Sequence, residues 1–155
     1  MGIEVLEMEI KVKTTFKKIN PKMDSMKLAI QRIPENKRRA LESFVKVLKE
    51  KYGYRIYKII LFGSTVRGEA EEESDIDVLI IADGVTQKEV SKIAFQILLK
   101  YGEVISSIVE DKQQFEKYKD YSFHRNILRE GVEISQSRSY DKRFNILERE
   151  VNRFR

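Results

Sequence analysis

No cysteine and no tryptophan occur among the 155 residues, proline occurs only twice, and His124 is the sole histidine. Without cysteine there is no disulfide framework and no thiolate zinc site, a composition suited to a reducing compartment. No apolar run approaches the roughly 18 residues of a membrane span, and the opening "MGIEVLEMEIKVK" lacks the basic-then-apolar order of a secretion signal. A cytoplasmic chain with no membrane association is expected. Internal repeats, low-complexity tracts and Pro/Gly/Ser linkers are also missing, which leaves room for one core and little for a second.

Charge is what the chain has in excess. Charged residues make up 35% and apolar residues 41%, with a net charge of +5. Basic clusters fall at 11–22, 37–39 and 138–155, while 69–77 is strongly acidic. Basic flanks around an acidic pocket suit a polyanionic partner or substrate whose phosphates are brought to metal ions. Solvated helix faces are the plain alternative.

The periodicities divide the chain into three parts: an arm over 1–33, a central domain over 34–135, and a terminal helix over 136–155. In the arm, Leu6, Met8, Ile10 and Val12 alternate with charged residues as in a half-buried strand. A short amphipathic stretch follows, through Met26, Ala29, Ile30 and Ile33. In the central domain, Leu41, Phe44, Val45 and Leu48 form the stripe of a helix running from Pro34 to about Lys51. "IYKIILF" (56–62) and "IDVLIIA" (76–82) read as strands buried on both faces. Thr86 and Glu89 form a capping box ahead of a helix that Gly102 closes, and "EVISSIV" (103–109) reads as a third core strand. A short helix, a second ending at Gly131 and a brief strand "VEIS" complete the domain. The terminal stripe Tyr140, Phe144, Leu147, Val151 and Phe154 is suited to docking on the domain or on another chain.

Between the first two strands lies "GSTVRGEAEEESDID" (63–77). Asp75 and Asp77 are separated by one residue at the threshold of a strand, so they project to one side with Cα atoms about 6.7 Å apart. Ionised carboxylates are costly there unless paired or metal-bound. Magnesium takes a few carboxylates and completes its shell with water and phosphate oxygens. Gly63 directly follows a strand, where a missing Cβ lets a ligand approach the backbone. Ser64 offers a hydroxyl and an N–H to phosphate, and Arg67 lies within reach to clamp it. Taken singly, a Gly-Ser after a strand reads as a turn and an Asp-x-Asp as a capped loop.

The conjunction of strand, Gly63-Ser64, ten residues, Asp75-x-Asp77 and strand resembles the minimal nucleotidyltransferases of the DNA polymerase β superfamily, over about 34–135. The resemblance implies a palm-like α+β domain, a mixed sheet backed by helices, with Asp75 and Asp77 holding Mg2+ and Gly63, Ser64 and Arg67 binding a nucleoside triphosphate. It implies transfer of a nucleoside monophosphate, AMP from ATP, to a protein or nucleic-acid hydroxyl. It further implies a HEPN-type protein partner in a toxin-antitoxin pair. A homodimer and contact with nucleic acid stay open.

The chain departs from the family in one place. Where the following strand commonly adds a third carboxylate, it has Ser106 and Ser107. Glu110, or else Glu103, is the substitute to expect as a metal ligand. Loss of that ligand supports a second reading, in which the fold is kept as a partner-binding antitoxin or nucleotide-binding module without strong catalysis. A basic nucleic-acid-binding module is a third reading, and no recognised reading element supports it. His124 reads as a polar residue near a helix start and needs no catalytic role.

Overall fold

The computed structural model describes residues 28–135. The expected strand over 6–12 and the terminal stripe over 140–154 lie outside the described residues. Among these residues no helix is long and apolar enough to cross a membrane.

A helical turn over 28–31 leads to helix α1 (Glu35–Tyr52), which Pro34 precedes as N-cap, one residue earlier than the helix proper. A fixed φ suits Pro34 to that end of a helix. Gly53, at φ 55°, ends α1 and passes the chain through a single 3-10 turn into β1 (Ile56–Phe62). A four-residue helix, α2 (Ser64–Arg67), and the acidic loop separate β1 from β2 (Ile76–Ala82). Helix α3 (Gln87–Tyr101) starts with the reciprocal Thr86–Glu89 capping box and closes on Gly102 in the left-handed conformation. Strand β3 (Ile105–Glu110), helices α4 (Lys112–Tyr118) and α5 (Ser122–Glu130) and the two-residue β4 (Val132–Glu133) follow.

The sheet is ordered β3-β2-β1-β4, with β2 and β3 parallel and the other neighbours antiparallel. A mixed sheet with helices on both sides makes this an α+β fold of the kind expected. On one face Ile59, Leu61, Ile76, Val78, Ile80 and Ala82 pack against Leu41, Phe44 and Leu48 of α1 and Val90, Ile93 and Ile97 of α3. Each buried side chain of this size contributes about 1.5–3 kcal/mol. On the other face Ile60, Leu79 and Ile81 meet Phe115 of α4 and Ile127 of α5, with Phe62 and Ile108 at the margin.

Two expectations about strand burial need correction. Burial on both faces holds for β2 and for Ile59–Leu61, but Tyr57 and Lys58 of β1 are exposed because only the far half of that strand is roofed. The third strand is an edge strand, not a core one: β2 is its one neighbour among the described strands, and Ser106 is exposed. Part of its open side is occupied by a side chain. Gln87, the first residue of α3, donates its amide N–H to the Ser107 carbonyl at 3.0 Å and accepts from the Val109 N–H at 2.9 Å.

Candidate active site

The pairing of β1 with β2 builds the site. Phe62 stands opposite Asp77, so the residue after Phe62 emerges beside the Asp77 carboxylate. That residue is Gly63, at φ 79° and ψ −157°, a backbone region that is essentially glycine's alone. A Cβ at Gly63 would drive into the carboxylate of Asp77, 3.2 Å from its Cγ. Glycine is thus required twice, for the conformation and for the space.

From Gly63 the chain turns directly into α2. The first intrahelical acceptor is the Gly63 carbonyl, which takes the N–H groups of Val66 and Arg67 at 3.2 and 3.3 Å. The N–H groups of Ser64 and Thr65 precede that ladder and point out of the turn's beginning. Arg67 is half-exposed; its Nε donates to Glu69 at 3.0 Å and a terminal nitrogen lies 3.7 Å from Glu130.

Asp75 is exposed just ahead of β2, and Asp77 is half-buried within it. Burial raises the Asp77 carboxyl above its ordinary value of 3.8, the charge of Asp75 raises it further, and the Arg67 guanidinium partly offsets both. The two carboxylates therefore sense one another, and Arg67 lies close enough to be felt. Two mutually repelling oxygen donors suit a hard divalent cation. Among the described residues no group of three or more His, Cys, Asp or Glu is placed to hold a metal. A metal bound by the pair would complete its shell with water and phosphate oxygens.

The structure does not bring Glu110 to this pair. In the parallel register Asp77 is matched with Ser106, and Glu110 with Ile81. Four residues along a strand is about 13 Å, too far for a shared ion. Glu110 is buried and bound instead to Nε2 of His124 at 2.7 and 2.9 Å. His124 is itself buried, against the rings of Phe115, Tyr118 and Phe123. It is thus a core partner for an acid, consistent with a structural residue. Glu103 is also taken, by Lys37 at 2.6 Å and by Asn36 at 3.0 Å.

Lys37, in the basic cluster at 37–39 that either sequence reading places at the surface, is buried by the fold to 1% exposure. Its Nζ donates to the carbonyls of Ser74 at 2.6 Å and Glu72 at 3.1 Å as well as to Glu103. A signal was present: positions 37, 41, 44 and 48 lie on the same helical stripe, so Lys37 heads the apolar face of α1.

Comparison with known proteins identifies the family. A family model described as "Nucleotidyltransferase domain" matches residues 41–152. The chain belongs to this nucleotidyltransferase family. Two proteins of Methanocaldococcus jannaschii that each bear the name "Putative protein adenylyltransferase" are similar to the nucleotidyltransferase chain. One is 52% identical over 96 residues, covering 62% of this chain and 95% of the relative; the other is 39% identical over 92 residues, covering 57% and 84%. A chain from a solved structure titled "Crystal structure of the toxin-antitoxin with AMP-PNP" has TM-score 0.47 at 15% identity, over 73% of this nucleotidyltransferase and 85% of that chain.

Proposed function

We propose that the protein transfers AMP from ATP to a hydroxyl group of a protein, with Asp75 and Asp77 as the anionic centre of the reaction. The observation that carries this reading is the contact of the half-buried Asp77 carboxylate with the Cβ-less Gly63, at the mouth of the Ser64 turn. Membership of the nucleotidyltransferase family and the names of the two archaeal relatives support the reaction class and the adenylyl group. A nucleic-acid hydroxyl is the other acceptor consistent with the family.

Asp75 and Asp77 would hold Mg2+, and the missing Cβ of Gly63 leaves the space that the Asp77 carboxylate takes up. Divalent ions in such chemistry neutralise charge on the transferring and leaving phosphates. Ser64 and Thr65 supply backbone N–H donors to those phosphates, and the Ser64 hydroxyl adds another. Arg67 exchanges its two surface carboxylates for a phosphate, to which a guanidinium binds in a fork. In the reaction a new bond forms between the acceptor oxygen and the α-phosphorus, the bond from that phosphorus to the bridging oxygen breaks, the acceptor's proton passes to solvent, and pyrophosphate leaves with the bridging oxygen. No protein nucleophile is needed. The resemblance to minimal nucleotidyltransferases supports a HEPN-type toxin as the modified protein.

A second reading is favoured by Ser106, which stands opposite Asp77 where the family commonly has a carboxylate. In it the domain binds nucleotide and partner and turns over slowly or not at all. Incubation with ATP labelled at the α-phosphate, Mg2+ and the product of the neighbouring gene separates the two. Label transferred to that protein, and lost with Asp77→Ala, is the expected result. A stable complex without transfer gives the second reading, and neither transfer nor complex overturns both.

A further inference from the structure

Both peptide groups that flank Asp75 are held by groups outside the loop. The Ser74 carbonyl accepts from Lys37 at 2.6 Å, and the Ile76 N–H donates to the Val104 carbonyl at 2.9 Å. Lys37 also draws in the Glu72 carbonyl, and its charge is balanced by Glu103, which Asn36 holds at its other oxygen. All three protons of the ammonium are therefore used. Glu71 and Ser74 add a local turn, with the Glu71 N–H on Ser74 Oγ at 2.9 Å and the Ser74 N–H on the Glu71 carbonyl at 3.0 Å. The acidic loop is thereby tied to the first turn of α1.

We propose that Lys37 is a positioning residue for the carboxylate pair: by fixing the Ser74–Asp75 peptide it holds Asp75 at the distance from Asp77 at which both can engage one divalent cation centre. The proposal rests on the reading of Asp75 and Asp77 given above. Lys37 bonds the carbonyls of Glu72 and Ser74 and the Glu103 carboxylate, and not the carboxylates of the pair. It acts through the backbone, as supporting groups around metal ligands do, and their loss typically weakens metal affinity by about ten- to a hundredfold.

The test uses the full chain and Mn2+ as the probe, with free ion followed by electron paramagnetic resonance. The Lys37→Met variant keeps the buried stem and removes the three donors. Leu48→Ala, a cavity variant on the same helix far from the loop, controls for lost stability. Lys37→Met is expected to weaken Mn2+ binding by about tenfold and to speed amide exchange at Ile76, while Leu48→Ala moves neither. Wild-type Mn2+ affinity or unchanged exchange in folded Lys37→Met overturns the positioning role and leaves the proposed function standing. Mn2+ binding absent from the wild type, or surviving Asp77→Ala, overturns the proposed function and the positioning role with it. Should Lys37→Met fail to fold, Glu103→Gln removes the counter-charge alone: a several-fold loss of Mn2+ affinity with faster Ile76 exchange supports the clamp, and wild-type values for both overturn it.

Discussion

Asp77 and Ser106 are register partners across the parallel β2–β3 pair, so their side chains rise from the same face of the sheet. A carboxylate at position 106 would therefore stand beside Asp77, with the exposed edge of the sheet giving it room.

That geometry predicts the effect of Ser106→Asp. Without divalent ions, a third anion beside Asp75 and Asp77 should lower the melting temperature. Saturating Mg2+ should restore it, and the ion's apparent dissociation constant should fall about tenfold. Thermal melts across a Mg2+ series measure both, and a variant indifferent to Mg2+ would place position 106 outside the ion's reach.

Gly63→Ala should be more damaging than an alanine in any exposed loop. The backbone there costs a non-glycine residue about 1–3 kcal/mol, and the new methyl displaces Asp77. Stability should fall by roughly that amount. Nucleotidyl transfer should fall about a hundredfold, because a displacement of an ångström costs that much. Urea melts and initial rates provide the two readouts.

The raised pKa of Asp77 sets a pH dependence with a definite sign. A carboxyl whose folded pKa lies above its unfolded value keeps its proton longer when folded, so metal-free stability falls as pH rises from about 3.8 through the raised folded value. Above that window the metal-free Asp77→Asn protein should melt higher than the wild type, and below pH 3.8 the difference should vanish. Mg2+ should reverse the order at neutral pH by stabilising the wild type alone.

The buried Glu110–His124 pair should matter for folding and not for the metal. Glu110→Gln is expected to leave Mn2+ affinity within about twofold, since an ion ligand must lie near 2.1 Å. His124→Ala strands a buried carboxylate and should cost about 2–4 kcal/mol. Chemical denaturation paired with Mn2+ titration reads both effects.

Much of the fold was legible because local chemistry and tertiary structure agree. The runs 56–62 and 76–82 are β-branched, short and bounded by turn residues, and both strands have those limits. The Thr86–Glu89 box placed the start of α3, because a capping box is satisfied within four residues. At the site, Gly63 and Asp77 could be singled out from order and spacing, and the antiparallel pairing sets them side by side. The misreadings arise where long-range partners decide. An apolar run does not reveal how many strands will flank it, and so β3 has the sequence of a core strand and, among the described strands, the place of an edge one. The remoteness of Glu110 follows from a register set by pairing. Lys37 finds its acceptors at 72, 74 and 103, up to 66 residues away. Its place on the apolar stripe of α1 hinted at burial, yet nothing local named those acceptors.

Gln87 sets a primary amide against the side of β3 that no other described strand covers. The spacing of its contacts, a carbonyl at Ser107 and an N–H at Val109, is that of one residue of a parallel neighbour. A further strand could pair with that stretch of β3 only by displacing a side chain that already holds its backbone groups.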